Sequence, residues 1–504
     1  MSTEAPLVGV PSFPARAWRQ LGLVLGLALL STLPFQGSRG LFESTEGRYA
    51  ECARETLATG DWDDPILQGL PHWTKPPLTY MAIMPGIRLF GNNPWGARGF
   101  LVVAMLLSVG AVWLAGASIW GPEAGFWSAM VFVSSPLAAL AAHVVSADLL
   151  TTLWVALATA AFWYGYMRQA PFAFLAVWLF LGMGLLTKGP PAILVPGVSL
   201  LVAACGMARH RFWQPGAWLL GTGLVMLAVL GFSWYVTEGR ETPGLFSYWI
   251  GQELVARNLR DTMHRNPGFA YAWEVYLPLL LLGTGPWLVM VLWKGRPWSD
   301  WFRNDTIQWQ WHQIARQSLL GGVVVPFAVF SLSKSKLPLY LVPLLVPLSL
   351  ILGRMLETLL AQQRLRKRTV QAWVAALLAL FVVLKGAAGF IEHPMDMTRL
   401  AATLEDRIPS HPDFPLYSVG SKPLHGLEFQ TGRLIDNIPA ENLFAHMASG
   451  QVQPPSARYL IRKKKWDKLA GAAPLPVLAE PLGKYWLLVR AAEAPARRSE
   501  RQAE

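Results

Sequence analysis

The chain has 504 residues, of which 53% are hydrophobic and only 15% charged, with a formal net charge of +12. That composition excludes an ordinary soluble enzyme and points to a polytopic α-helical membrane protein with a small extramembrane appendage. The cationic excess falls between apolar runs, so basic cytoplasmic loops account for it and nucleic-acid binding does not. Cys52, in a polar loop, and Cys205, in an apolar run, suggest neither a disulfide framework nor a metal cluster.

In chain order, the first apolar run covers 18–35. No signal-peptide cleavage pattern follows it, so it is expected to stay as a span with Arg16 and Arg19 on its near side. A polar stretch, 43–77, comes next, inside an expected outer catalytic loop of 36–97. It carries Glu43, Glu46, Glu51, Glu55, Asp61, Asp63 and Asp64, with Arg48, Arg54 and Lys75 among them. If TEGRYAE is helical, Glu46 lies beside Tyr49, and Arg48 shares a face with Glu51 and Cys52. Glu46 at the membrane surface could accept a proton from an attacking hydroxyl, with Arg48 and Tyr49 as its support. Lys75 is held by the two prolines of WTKPPL, and an ammonium fixed there suits a phosphate oxygen. The apolar segment 77–90 is short and carries Arg88, which predicts a helix along the interface.

A bilayer span needs about 20 mostly apolar residues. Further windows fall at 99–118, 122–141, 149–167, 172–187, 190–207, 216–235, 271–293, 318–333, 337–357 and 369–388, for about 11–13 membrane helices in all. Asp148 opens the fourth span, where Ser146 or Asp148 could cap the helix or the acid could serve a site. Lys188 sits in the tight turn TKGPP, and Lys334 and Lys336 in SLSKSKLPLY, with Tyr340 one turn on. In the loop 236–270, Arg257, Arg260, His264 and Arg265 recur at helical spacing, predicting a cationic face on the membrane for a lipid phosphate. With a cytoplasmic N-terminus, the connections at Arg168, 209–211, 294–316 and 364–368 lie inside and are basic. The polar stretch, Asp148, Lys188, 236–270, Lys334 and Lys336 then lie outside.

After about residue 392 the composition turns mixed. Short β-type runs at 416–419, 433–435, 459–461 and 485–489 alternate with helix candidates at 395–404, 440–448 and 466–470. The expectation is a transmembrane unit over 1–390 and an extracytoplasmic α/β domain over 391–504, ending in a disordered tail.

Taken together, TEGRYAECARETLATGDW, WTKPPL, Asp148, TKGP and SLSKSKLPLYLVP resemble the membrane-embedded GT-C glycosyltransferases. The branch most similar is that of the aminoarabinose transferases that modify lipid A, relatives of the protein O-mannosyltransferases. The similarity runs in order from about residue 21 to 350, and Trp234-Tyr235, ARNLR and the GPW at 285–287 also fit. The resemblance implies a polyprenyl-phosphate sugar donor and action at the extracytoplasmic, periplasmic face of a bacterial inner membrane. By position, Glu46 matches the glutamate of the family's Asp-Glu pair and Lys75 the lysine of its KPP turn. Asp148 matches an outer-loop acid, and Lys336 and Tyr340 match the KLPxY segment. The aspartate of the pair is Thr45 here, so either Glu46 or Asp148 would act as base, or this branch differs in chemistry; the place of Glu46 at the start of the outer loop, close to the membrane plane, favours Glu46.

Transfer from a lipid phosphate needs a proton acceptor and cations for the departing phosphate. The candidates are Glu46 and Asp148 for the first, and Lys75, Lys188, Arg257, Arg260, Lys334, Lys336 and Tyr340 for the second. No cofactor is required, no metal signature is present, and a divalent metal remains compatible with the chemistry. The partners expected are the donor, a lipid, glycan or protein acceptor, and membrane lipids. The alternative is a transporter or flippase of lipid-linked anionic glycans, which would need charges deep in its spans.

Overall fold

The computed structural model describes residues 13–43, 45–209, 216–260, 266, 268–294, 307–407, 415–448, 457–473 and 477–491. The expected His264 and Arg265 of the cationic face, and the expected disordered tail, lie outside the described residues. Helices dominate as far as residue 388, and a five-stranded sheet follows.

The helices begin where the sequence puts proline or a capping side chain. Helix α1 is Ala15–Thr32, α2 is Glu46–Thr59 and α3 is Leu78–Phe90. Asn93 accepts the Gly96 N–H at 3.0 Å and, with Pro94 in the first turn, starts α4, Pro94–Trp120. Proline also opens α5 (Pro122–Val133), α6 (Pro136–Ala141), α8 (Pro171–Lys188) and α9 (Pro191–Arg209). Helix α7 is Ala147–Arg168 and α10 is Ala217–Glu241. Between α8 and α9 the chain reverses at Gly189, whose φ of 77° is a conformation glycine adopts freely.

Helix α4 is the centre of the bundle, packed against α5 and α7. A Cβ on Gly116 of α4 would lie 2.9 Å from Cα of Gly125 on α5, so two glycines allow that close approach. Trp113, Trp127 and Trp163 fill the core around it.

Among the described residues, eight helices are long and apolar enough to cross a membrane, or nine if one bent pair counts as a single span. The sequence predicts more, and the difference has three causes. Helix α1 is 18 residues long, but Arg16, Arg19 and Gln20 occupy its first turns. The window 122–141 is broken into α5 and α6 at Ser134-Ser135, just before Pro136, and neither piece alone is long enough. The window 271–293 bends by 81° at Thr284-Gly285. The chain is nevertheless a multi-pass membrane protein, as expected.

In the C-terminal region the sheet order is β4-β3-β5-β7-β6, with strands β3 Leu416–Val419, β4 Ile435–Ile438, β5 Arg458–Arg462, β6 Val477–Leu482 and β7 Trp486–Ala491. (Ile66–Leu67 and Leu70–Pro71, β1 and β2, form a separate hairpin.) Strands β3, β4 and β5 are parallel, while β7 runs antiparallel to both β5 and β6. Helices Met397–Glu405 and His425–Thr431 cover one face, and Leu443–Ala448 and Lys463–Leu469 the other. Two elements escape the sequence reading. Strand β6 is largely exposed and interrupted by Pro481, and the helix His425–Thr431 has only seven residues. This region docks on α2. Phe42 bridges to Asp396, and the Gly426 N–H donates to the Glu43 carboxylate.

Candidate active site

Two charged assemblies sit at the end of the bundle where the C-terminal region docks. The first surrounds Glu46, at the start of α2. Arg39 and Arg98 grip its carboxylate, Arg98 at 3.1–3.2 Å, and the N–H groups of Val145 and Phe42 donate to it at 2.9 and 3.1 Å. Arg98 also donates to the carbonyls of Gln36, Arg39 and Gly40, and Arg39 to that of His143. Glu46 is 2% exposed and Arg98 is fully buried. Burial works to raise the Glu46 carboxyl, but Arg98, Arg39 and the Val145 N–H outweigh it and hold the group below the usual carboxylate range. Four segments, at 36–42, 46, 98 and 143–145, are thus tied to one carboxylate. The expected partner Arg48 is not in this cage.

The second assembly brings together residues far apart in sequence. Asp148 pairs with Lys188 across α7 and α8, while the cap of α7 is Ser146, which accepts the Asp148 N–H at 3.3 Å. The cap is therefore the serine, and the aspartate side chain is left for the lysine. Lys188 lies 4.5 Å from the centre of the Tyr340 ring. The Tyr340 hydroxyl in turn reaches Arg257. Arg257 pairs with Glu253 one helical turn back, and Glu253 also meets Lys75 at 3.6 Å. Arg48 stands over the Tyr49 ring at 5.9 Å, and the Tyr49 ring lies tilted against that of Tyr80, centroids 5.7 Å apart. Burial, with Asp148 and Tyr340 nearby, lifts the Tyr49 phenol to about 12, against the pull of Arg48 and Arg257.

The cations Arg48, Lys75, Lys188 and Arg257 outnumber the carboxylates Asp148 and Glu253 by two. Lys75 registers the imbalance. Burial first, then the Arg257 charge, with further contributions from Lys188 and Arg48, push its amine down to about 7, although Glu253 works the other way. A bound anion would reverse that strain.

Three predicted phosphate ligands make contacts elsewhere. The Lys336 ammonium donates to the Gly268 carbonyl at 3.2 Å and approaches that of Asn266 at 3.4 Å. Lys336 and Tyr340 are not one helical turn apart, because the helical segment starts only at Pro338. Lys334 is exposed, and its N–H bonds the Asn258 carbonyl at 2.8 Å. Arg260 is exposed and extended. The helix ends at Leu259, so Arg257 and Arg260 do not share the continuous cationic face that their spacing predicts. Thr45 is exposed at the N-cap of α2.

Sequence reasoning missed Arg39, Arg98 and Glu253. The i,i+4 spacing of Glu253 and Arg257 was an available signal for one. Arg98, an arginine entering an otherwise apolar span, was another. Among the described residues no group of three His, Cys, Asp or Glu side chains is placed to hold a metal ion.

The dolichyl-phosphate-mannose-protein mannosyltransferase family matches residues 74–235, a stretch that includes Lys75, Asp148 and Lys188. The undecaprenyl phosphate-alpha-4-amino-4-deoxy-L-arabinose arabinosyl transferase 1 of Pseudomonas fluorescens is 31% identical over 360 residues, covering 70% of this chain and 62% of the relative. The corresponding transferase of Pseudomonas savastanoi pv. phaseolicola is 33% identical over 371 residues, covering 72% and 66%. The chain spans about three fifths of the length of the first of these relatives. The crystal structure of ArnT from Cupriavidus metallidurans bound to undecaprenyl phosphate superimposes with a TM-score of 0.73 at 19% identity, over 95% of this chain and 99% of that one. The GT-C resemblance read from the motifs is therefore borne out, and so is the architecture of a helical membrane unit with a small sheet-containing C-terminal region.

Proposed function

We propose that the chain is a GT-C glycosyltransferase that moves a sugar from a polyprenyl-phosphate donor to an acceptor at the periplasmic face of a bacterial inner membrane. The observation that carries this reading is the meeting of Lys75, Lys188 and Arg257, from three separate segments, around only two carboxylates. The donor phosphate supplies the missing negative charge. As the sugar–phosphate bond breaks, the departing polyprenyl phosphate gains charge, and preorganised cations stabilise that state more than the ground state. The acceptor oxygen attacks the anomeric carbon as the phosphate leaves with the bonding pair, a single displacement that inverts the centre.

Glu46 serves this reading as a positioning carboxylate. Its oxygens are engaged by two guanidiniums and two N–H groups, and its proton affinity is lowered, so it is poorly suited to take a proton. It anchors the backbone three residues before Asp148 and the helix that presents Arg48 and Tyr49. Asp148 is released when Lys188 turns to the phosphate, and it takes the proton of a hydroxyl acceptor. A phosphate acceptor, such as that of lipid A, arrives already anionic and needs no base. That fits a chain with Thr45 where the family carries an aspartate. The relatives' names support an undecaprenyl phosphate-linked aminoarabinose donor. Basic residues at the opposite end, Arg168, Arg209 and Lys367, support a periplasmic site by the positive-inside bias.

The test is the full-length protein in liposomes with radiolabelled polyprenyl-phosphate aminoarabinose and lipid A. Label should move to lipid A, and Asp148→Asn should slow that transfer only mildly. Donor crossing the bilayer with no transfer to any acceptor would establish the flippase alternative instead.

A further inference from the structure

The C-terminal sheet has a topological feature that the catalytic reading does not use. Strand β3 lies between β4 and β5, all parallel. The helix that follows β3, His425–Thr431, packs on one face of the sheet, with Leu424 and Leu427 in one apolar cluster. The helix that follows β4, Leu443–Ala448, packs on the other face, with Leu443 in a second cluster. The helix that leaves β5, Lys463–Leu469, packs on that second face too, so the helices leaving the neighbouring strands β3 and β5 lie on opposite faces, and the crevice of this switch point falls between the carboxyl ends of β3 and β5. In open α/β sheets that is where ligands bind.

The side chains at this mouth are basic. The turn after β3 carries Lys422, the exit of β5 carries Arg462, Lys463, Lys464 and Lys465, and the β6–β7 turn carries Lys484. Among the described residues of these loops, of the segment after β4 and of the helix Lys463–Leu469, the acids are Glu441 and Asp467. The Lys465 ammonium reaches across the crevice to the Gly420 carbonyl. Gly420 has a φ of 56°, and a Cβ there would lie 2.6 Å from the Lys465 nitrogen, so glycine is what lets the lysine sit over the strand end. Lys463 is anchored to the Gly483 carbonyl at 3.1 Å. Lys422, Lys464 and Lys484 remain exposed around these two.

We propose that this crevice is a second anion site, taking a phosphate-bearing ligand between the Gly420–Lys422 turn and the Arg462–Lys465 exit. Two lysines are already oriented by the backbone, and the exposed ones add charge at the rim. The shared chemistry is a phosphate group, carried either by a lipid headgroup or by a soluble phosphate ester.

The experiment uses the full-length protein carrying Lys75→Ala and Arg257→Ala, so that the cluster at the membrane loses its surplus of cations. Inorganic pyrophosphate and soluble short-chain phosphatidic acid are each titrated by calorimetry. Both should bind, and raising the salt from low to high should weaken both. Adding Lys422→Glu and Lys464→Glu, two exposed positions, should weaken binding about 10-fold or more. The milder pair Lys422→Gln and Lys464→Gln should give an intermediate loss. Tighter binding of the lipid assigns the site to a headgroup, and tighter binding of pyrophosphate assigns it to a soluble ester. If neither probe binds in the Lys75→Ala, Arg257→Ala protein, or if the charge reversal changes nothing, the proposal is wrong.

Discussion

The cage around Glu46 and the cluster around Lys75 lie at the same end of the bundle and use the same residue types, yet they are built on opposite principles. In the cage, two guanidiniums close on one carboxylate and give their other N–H groups to the carbonyls of Gln36, Arg39, Gly40 and His143, so the network is matched by hydrogen bonds rather than by charge. In the cluster, four cations meet two carboxylates, and one lysine is driven toward neutrality. A matched buried network holds segments in place. An unmatched one stores a demand for a ligand of opposite sign. The contrast separates residues that position from residues that bind.

The largest expected effect comes from breaking the cage. Arg98→Met leaves the Glu46 charge partly uncompensated in a dry site, and losing one partner of a buried pair costs about 3–5 kcal/mol. The thermal unfolding midpoint in detergent should fall sharply, and transfer should fall with it. An unchanged midpoint would mean the cage does not hold the fold. Removing a surplus cation from the cluster should do the reverse. Lys75→Ala should keep the midpoint but weaken donor use by about 2–4 kcal/mol. The same lysine carries a pH signature. Its amine titrates near 7, so it is charged and binds phosphate below that value and becomes neutral above it. Donor affinity should fall as pH rises through about 7, and Lys75→Arg should flatten the profile. A profile identical in the two proteins would remove Lys75 from the phosphate site.

The smallest effect concerns the contact between the two regions. Glu43 is buried, and burial chiefly, with Glu428 nearby, pushes its carboxyl up to about 8 despite the N–H groups of Gly426 and Leu427. Its pKa in the folded protein lies above the unfolded value of about 4.3. The folded state therefore holds the proton more tightly, and this contribution to docking is complete at low pH and lost as pH rises toward 8. Hydrogen exchange in the helix His425–Thr431 should quicken over that range, and Glu43→Gln should abolish the change. Exchange that stays pH-independent after correction for the intrinsic rate would rule the contact out as a proton-linked one.

Much of this molecule was legible in the chain. Apolar windows located the long helices, because a span must bury a continuous stretch and the signal is local. The KPP and TKGP turns and the Ser146–Asp148 helix start were equally local, as proline, glycine and capping serine act within a few residues. The motifs also carried the family, and Lys75, Asp148, Lys188, Arg257 and Tyr340 were singled out before any geometry was known. What the sequence could not supply was the pairing. Arg39 and Arg98 lie 7 and 52 residues from Glu46, and nothing in the order of the chain says that both guanidiniums close on that carboxylate. In the same way Lys336, Lys334 and Arg260 looked like Lys75 and Lys188 in sequence, but the ends of short helical segments turned them elsewhere. Composition and periodicity determine which residues enter the membrane. Which charges are neutralised and which are left to seek a ligand depends on distances between helices, and those exist only once the helices have packed.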